Sequence, residues 1–268
     1  MVDFARKKGF ICDMDGVLYH GNQVLPGVAA FVDWLKSEQK EYLFLTNNSN
    51  CTPKELRQRL LRMGIDVGEE HFYTSALATA AFLSEQAPGC TAYVIGDAGL
   101  MNALYDVGIT MNAVDPDYVI FGEGKVYSLD TLTQATNLVL RGAKLIGANP
   151  DLSGPIEDGI MPGGGALVAP VELATGKKAY FCGKPNPLMM RAGLRRLRCH
   201  SEEAVMIGDR MDTDIIAGME SGMQTVLVLS GISTVETASE YAYRPTVILS
   251  GVGDIPRLAA GEKVKTFG

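Results

Sequence analysis

The sequence has no hydrophobic run of membrane-spanning length and no surplus of basic residues. Its apolar runs are shorter than the roughly 18 residues that a transmembrane helix needs, so we expect no membrane association. The 268 residues include 24 Lys and Arg against 31 Asp and Glu, giving a net charge of −7. This balance excludes a chain-wide basic surface for a nucleic-acid polymer, so an anionic ligand must be bound by local groups.

The sequence also has no cysteine or histidine pattern typical of a disulfide framework or a metal site. Its five cysteines are odd in number and show no Cys-x-x-Cys spacing, which argues against disulfides and a zinc knuckle. His20, His71 and His200 lie far apart, which favours surface or turn positions. The N-terminal segment shows no export signal. We therefore expect a soluble cytoplasmic protein.

Apolar runs alternate with helix-like stretches along most of the chain, which predicts an α/β fold with a parallel sheet. One helix is predicted over residues 53–63, with Thr52 as its N-cap, Pro53 at its first position and Gly64 at its end. The strands predicted for the main sheet cover residues 10–13, 42–46, 204–208, 225–229 and 246–249.

A second αβ series interrupts this pattern. Its predicted strands cover residues 91–96, 118–122 and 144–147, and it ends in a stretch rich in Gly and Pro around residues 161–165. Both flanking parts of the chain look like parts of one sheet. We therefore predict a core formed by residues 1–80 and 181–268, with residues 81–180 as an inserted domain.

Two carboxylates follow the first predicted strand, Asp13 and Asp15, and Gly16 after them suggests a turn. Such a pair allows one carboxylate to attack while the other handles protons. The plain alternative is a pair of loop-capping aspartates. Neighbouring motifs must decide between the two.

Three other segments place polar residues after predicted strands: residues 46–49, the turn around Lys184, and Asp209 followed by Asp212 and Asp214. Taken singly they are compatible with an ordinary strand exit, a solvated lysine and a helix cap. Together with the first motif, all four follow the carboxyl ends of predicted strands, the edge at which open α/β sheets bind ligands.

The segments DMDGVL, LTNNS, GKP and GDRMDTD, in this order, resemble the four motifs of the haloacid dehalogenase (HAD) superfamily. The insertion between the second and third resembles the cap of subfamily IIA, and the chain is similar to NagD-like phosphatases over nearly its whole length. This resemblance implies a HAD-like Rossmannoid parallel-sheet core with an inserted C2-type α/β cap domain.

The resemblance implies a role for each core acid. Asp13 would be the nucleophile that forms an aspartyl-phosphate, and Asp15 the acid and base. Mg²⁺ would be held by the carboxylates of Asp13 and Asp209 and by the main-chain carbonyl of Asp15, and Asp214 would support this set of ligands. Four clustered acids would repel a phosphate dianion, so a divalent cation is also expected on physical grounds.

The remaining site residues are implied in the same way. Thr46 and the amide of Asn47 would hold phosphoryl oxygens, and Lys184 would balance charge. In the cap, Asn149 and Asp151 are expected near the substrate, with two ordinary loops as the alternative. Asp212 is interpreted as a surface or capping residue.

These observations favour a magnesium-dependent phosphomonoesterase acting on a small phosphorylated metabolite. NagD-like relatives suggest nucleoside 5′-monophosphates, with small sugar phosphates or phosphoglycolate as alternatives. A non-enzymatic alternative is a phospho-accepting signalling module, although Asp15 and the large insertion exceed what such a module needs. A mutase, which transfers the phosphoryl group to an alcohol, is a closer competitor. Self-association into a homo-oligomer is left open.

Overall fold

The computed structural model describes residues 2–156 and 158–267 and shows an α/β fold, as predicted. Within these ranges no helix combines the length and the apolar character needed to cross a bilayer. The strands, in chain order, are β1 Gly9–Cys12, β2 Tyr19–His20, β3 Gln23–Val24, β4 Glu41–Thr46, β5 Phe72–Thr74, β6 Thr91–Ile95, β7 Thr110–Met111, β8 Tyr118–Phe121, β9 Lys144–Gly147, β10 Ser153–Ile156, β11 Gly159–Pro162, β12 Tyr180–Phe181, β13 Ala204–Gly208, β14 Gln224–Val228 and β15 Val247–Leu249.

Helices separate most of these strands, as a chain of βα units requires. The helices are α1 Val28–Ser37, α2 Pro53–Arg62, α3 Ser75–Gln86, α4 Ala98–Asp106, α5 Leu129–Leu140, α6 Gly164–Thr175, α7 Pro187–Leu197, α8 Ile216–Glu220, α9 Val235–Ser239 and α10 Asp254–Ala259. A single π-helical turn, Met211–Ile215, directly precedes α8.

The chain divides into two compact units. The first runs up to Thr46 and also contains Arg57–Tyr73 and the chain from Met190 onward; the second contains Asn47–Leu56 and Thr74–Met189. Both units are therefore discontinuous in sequence. The second takes more of the chain than the predicted insertion at residues 81–180, because segments on either side of that range pack with it.

The first unit is built on a six-stranded sheet with the order β15-β14-β13-β1-β4-β5. Strand β1 pairs in parallel with both β13 and β4, so that Cys12 lies opposite Ile207 on one side and Phe44 on the other. All residues of β1 and β13 are buried, as expected for central strands of a sheet covered on both faces. The five strands predicted for this sheet are confirmed, with ends that differ by no more than one residue.

The second unit has a five-stranded sheet with the order β12-β9-β8-β6-β7 and a separate antiparallel hairpin, β10-β11. Its core is apolar and centres on residues of β6, β8, β9, α5 and α6, among them Val119, Phe121 and Leu138. The three predicted strands of this series are also confirmed.

Helix α2 begins at the predicted residue, Pro53, and ends at Arg62, one residue before the predicted end. The hydroxyl of Thr52 accepts a hydrogen bond from the amide of Glu55 (3.2 Å), and the Glu55 carboxylate accepts one from the amide of Thr52 (2.8 Å). This reciprocal pair satisfies amide groups that the first turn leaves open. Beyond the end of the helix, Gly64 has a φ of 85°, the left-handed conformation that glycine adopts most easily.

Candidate active site

Three carboxylates of the first unit lie close together. Asp13 directly follows β1, Asp209 directly follows β13, and Asp214 lies in the π-helical turn Met211–Ile215. One oxygen from each lies within 4.8 Å of the others, and the three residues are buried. The parallel pairing of β1 with β13 explains why residues almost 200 positions apart meet at one sheet edge.

This cluster fits a hard divalent cation. The donors are all carboxylate oxygens, the ligands that Mg²⁺ and Ca²⁺ prefer. Buried like charges at this spacing repel each other, and a bound cation reverses that repulsion. Main-chain amides orient two of the groups: Ile232 donates to Oδ2 of Asp209 (2.8 Å), and Arg210 donates to Oδ2 of Asp214 (3.1 Å).

Glycines allow the backbone to pack directly on these carboxylates. A Cβ at Gly231 would overlap Oδ2 of Asp209, and a Cβ at Gly208 would overlap the side chain of Asp214. Gly16 has a φ of 77°, and its Cβ position lies 2.5 Å from Oδ2 of Asp209. Any side chain at these glycines would displace a member of the cluster.

The carboxylate of Asp15 is not part of the three-acid cluster. Asp15 is half-buried, and its Oδ2 accepts a hydrogen bond from the hydroxyl of Tyr19 (3.3 Å). Tyr19 is 1% exposed, and the guanidinium of Arg59 lies 5.5 Å from the centre of its ring. Burial first, and then the negative charge of Asp15, raise the pKa of Tyr19 well above its ordinary value. The hydroxyl therefore stays protonated near neutral pH and can donate this hydrogen bond.

Thr46 is the last residue of β4 and is buried. Because β4 pairs in parallel with β1, Thr46 lies at the same edge of the sheet as Asp13. The structure thus brings together Asp13, Thr46, Asp209 and Asp214 within the first unit, as predicted from the strand ends.

Asn47 and Lys184 belong to the second unit. Lys184 follows β12, which pairs with β9 of the five-stranded sheet. The core predicted from residue 181 onward includes Lys184, whereas Lys184 packs with the second unit, because the short strand before it joins the other sheet. The amide of Lys184 donates to Oδ1 of Asn47 (2.7 Å), and Nδ2 of Asn47 donates to the Lys184 carbonyl (3.0 Å).

Asn149 and Asp151 join this pair in a polar cluster. Oδ2 of Asp151 accepts from Nδ2 of Asn47 (2.7 Å) and from Nδ2 of Asn149 (2.8 Å). Nδ2 of Asn149 also donates to Oε1 of Glu123 (2.9 Å), and Asn149 is fully buried. Contact of Asn149 and Asp151 with the substrate stays a prediction.

Asp212 is exposed and forms an ion pair with Arg210 (2.8 Å), in keeping with the surface role expected of it. Sequence reasoning missed three contributors to these sites: Tyr19, Glu123 and the amide of Ile232. Tyr19 looks like a core residue in an apolar run, and Glu123 stands between two glycines that match no complete motif. The loop beside Asp209 includes Ser230 and Gly231, in a segment that is similar to the NagD-like pattern, and this similarity is the signal in the sequence for that loop.

Comparison with known proteins identifies the family. Residues 10–110 match the family model for haloacid dehalogenase-like hydrolases, and residues 181–255 match the HAD-hydrolase-like model. Over 246 residues, the chain is 44% identical to the dihydroxyacetone phosphatase of Corynebacterium glutamicum (strain R), covering 92% of this chain and 90% of that protein. It is 42% identical over 248 residues to the ribonucleotide monophosphatase NagD of Escherichia coli K12, covering 92% and 98%.

The chain belongs to the NagD-like phosphatases of the haloacid dehalogenase superfamily. Among solved structures, the glycerol phosphate phosphatase of Mycobacterium tuberculosis in complex with magnesium matches it with a TM-score of 0.88 and 30% identity, covering 95% of this chain and 78% of that one. This NagD-like HAD chain is thus a phosphoric monoester hydrolase. The predicted family, fold class and enzyme class are confirmed, and a phospho-accepting signalling module is disfavoured.

Proposed function

We propose that the chain is a magnesium-dependent phosphatase that hydrolyses small phosphate monoesters through an aspartyl-phosphate on Asp13. The observation that carries this proposal is the buried cluster of Asp13, Asp209 and Asp214 at the carboxyl edge of the sheet, with Asp15 two residues after Asp13. Phosphoryl transfer depends on positioned charge more than on complex covalent chemistry, and this edge concentrates charge in fixed positions.

The two aspartates of the first motif divide the chemistry. A carboxylate oxygen of Asp13 attacks phosphorus, a new O–P bond forms, and the bond to the ester oxygen breaks. Asp15 gives its proton to the departing oxygen, which leaves as an alcohol. Asp15 then accepts a proton from the water that attacks the aspartyl-phosphate, so that inorganic phosphate leaves and both carboxyl groups return to their starting states.

The carboxylates of Asp13 and Asp209 and the main-chain carbonyl of Asp15 would hold Mg²⁺, and Asp214 would support that set. When bound, the cation neutralises charge on the phosphoryl oxygens. The all-oxygen chemistry of the buried cluster supports this choice, as does the magnesium complex of the related mycobacterial phosphatase. We further propose the hydroxyl of Thr46, the main-chain amide of Asn47 and the Lys184 ammonium as groups that bind the phosphoryl oxygens.

Nucleoside 5′-monophosphates are the proposed substrates, with small sugar phosphates or phosphoglycolate as alternatives. The relatives are named for ribonucleotide monophosphates, dihydroxyacetone phosphate and glycerol phosphate, which are all phosphate esters of small alcohols. The chain is 42–44% identical to the first two and 30% identical to the third, which supports the ester class more strongly than any single member of it.

The test is phosphate release from a panel of these esters, measured with magnesium, with a chelator, and in the Asp13→Asn variant. We expect the chelator to abolish release, added magnesium to restore it, and Asp13→Asn to remove it. Asp212→Asn, which alters an exposed acid of the π-helical turn that also contains Asp214, should retain wild-type activity. Hydrolysis that persists in both the chelated enzyme and Asp13→Asn would overturn the mechanism, and transfer of phosphate to an alcohol would indicate a mutase.

A further inference from the structure

We infer that the side chain of Asn47 is a positioning residue that fixes the main chain of Lys184, and that Asp151 holds Asn47 in place for this purpose. The inference deepens the proposed function and rests on it, because it concerns the lysine proposed to bind the phosphoryl group. In this inference Asp151 orients Asn47 and does not need to contact the leaving group.

The amide side chain of Asn47 hydrogen-bonds to both main-chain polar groups of Lys184. Oδ1 of Asn47 accepts from the Lys184 amide at 2.7 Å, and Nδ2 donates to the Lys184 carbonyl at 3.0 Å. A main-chain amide can only donate, so it must face the amide oxygen, which fixes the orientation of the Asn47 group. This pair imitates the hydrogen bonds that a neighbouring strand would make, at a point where β12 has already ended.

Asp151 uses the second hydrogen on Nδ2 of Asn47. Its Oδ2 accepts that hydrogen bond at 2.7 Å and another from Asn149 at 2.8 Å. Hydrogen bonds to a carboxylate are about twice as strong as those between neutral groups. Asn47, Asn149 and Lys184 are buried, so water competes little for these contacts.

Gly183, the residue before the lysine, is also held by a hydrogen bond. The amide of Gly183 donates to the Ala148 carbonyl at 2.7 Å, and a Cβ at Gly183 would lie 2.7 Å from Oδ1 of Asn47. Hydrogen bonds to main-chain groups therefore fix two successive residues of the turn, and glycine is required for the close approach. The backbone from which the Lys184 side chain extends has little freedom.

This matters because lysine has a long side chain with about 2 kcal/mol of rotamer entropy. A lysine on a mobile turn would bind a phosphate dianion weakly, since binding would have to order both the turn and the side chain. Fixing the turn in advance reduces the part of this segment that binding has to order. The hydrogen bonds between the Asn47 side chain and the Lys184 main chain are thus expected to strengthen phosphate binding, whatever alcohol the ester carries.

The test measures the inhibition constant of inorganic phosphate, together with KM, kcat and the melting temperature. Three variants are used: Asn47→Asp, which places a carboxylate against the Lys184 carbonyl and Asp151; Asp151→Ala, which removes the acceptor; and Asp151→Asn, which keeps an acceptor oxygen. Glu172→Ala is the matched control, because Glu172 is a half-buried carboxylate of the same unit that accepts from Ala179 (2.8 Å) and Lys178 (3.3 Å).

We expect Asn47→Asp and Asp151→Ala to weaken phosphate binding about tenfold, the size expected for lost hydrogen bonds to charged groups. Asp151→Asn should recover most of this loss, and Glu172→Ala should lower the melting temperature without changing phosphate affinity. Wild-type phosphate affinity in both Asn47→Asp and Asp151→Ala would overturn the inference, as would equal weakening in Glu172→Ala. Failure of the proposed function would be seen separately, as a wild-type enzyme without magnesium-dependent hydrolysis.

Discussion

The hydroxyl of Tyr19 donates a hydrogen bond to Oδ2 of Asp15 over 3.3 Å. Tyr19 belongs to β2, and β2 pairs with β3 in a two-stranded hairpin that follows the turn at Gly16. The ring is buried and lies beneath the guanidinium of Arg59. A rigid, buried donor thus holds the carboxyl group that we propose as acid and base.

Replacing Tyr19 by Phe should impair hydrolysis of esters with poor leaving groups more than hydrolysis of nitrophenyl phosphate. An alkoxide needs a proton to leave, whereas nitrophenolate leaves without one, so misplacement of Asp15 harms the first reaction selectively. We expect kcat/KM to fall about tenfold for an alkyl phosphate and only a few-fold for the nitrophenyl ester. A tenfold loss corresponds to the free energy of about one hydrogen bond to a charged group. Parallel kinetics on both substrates provide the measurement.

The matched control for this prediction is Tyr127→Phe. The hydroxyl of Tyr127 donates to the Gly122 carbonyl at 2.6 Å, so this change also removes one hydrogen bond from a partly buried tyrosine. Its effect should be on stability alone, with the ratio of the two kcat/KM values unchanged. Equal losses on both substrates in Tyr19→Phe would show that Tyr19 serves only the fold.

Gly231→Ala should weaken magnesium binding. The added methyl group would overlap Oδ2 of Asp209, whose position is already fixed by the amide of Ile232. Changing a residue that orients a metal ligand typically lowers metal affinity about 10- to 100-fold, and we expect a loss in that range. The measurement is activity against magnesium concentration. Gly251→Ala is the control, since nothing lies within 4 Å of its Cβ position, and a normal magnesium response in Gly231→Ala would contradict the proposed ligand set.

The central strands and the core motifs could be predicted because their signals are local. Strand β13 is an uninterrupted apolar run, and Asp209 stands where that run ends. Parallel pairing then brings Asp13 and Asp209 to one edge without further information. The family resemblance supplied the roles, which neither composition nor spacing determines.

The remaining contacts could not be predicted because they join distant positions through short elements. Asp151 meets Asn47 across 104 positions of sequence, and no periodicity marks that pairing. Strand β12 has only two residues, too few to show from the sequence which sheet it joins, and so which unit contains Lys184. Tyr19 lies in an apolar run, where the sequence does not distinguish a buried donor from an ordinary core residue.

The capping box of α2 should make a pH-dependent contribution to stability. Hydrogen bonds from the amide and then the hydroxyl of Thr52 lower the pKa of Glu55 below its ordinary value of 4.5. A carboxyl group with a lowered pKa in the folded state stabilises the fold fully above its unfolded pKa, and this stabilisation is lost as the pH falls through the folded pKa. Thr52→Ala should therefore cost about 1 kcal/mol at pH 7 and less in acid.

Denaturant unfolding of wild type and Thr52→Ala at pH 7 and near pH 4 measures this difference. Ser128→Ala removes the corresponding cap of α5, where the reciprocal partner is the neutral Thr131. Its cost should change less between the two pH values. A cost of Thr52→Ala that grows on acidification would contradict the assignment to the ionised Glu55.

Cys182 should resist alkylation in the folded enzyme even though it is close in sequence to Lys184. Burial raises the pKa of its thiol to about 12, and the side chain is 1% exposed. The thiolate is the reactive form, and a pKa of about 12 keeps nearly all of this thiol protonated at pH 8, which slows alkylation even where reagent reaches it. Mass spectrometry after iodoacetamide treatment should find Cys182 unmodified in the native protein and modified after denaturation. Rapid native labelling would mean that the Gly183–Lys184 turn opens readily, which would contradict the tight hold of Asn47 on this segment.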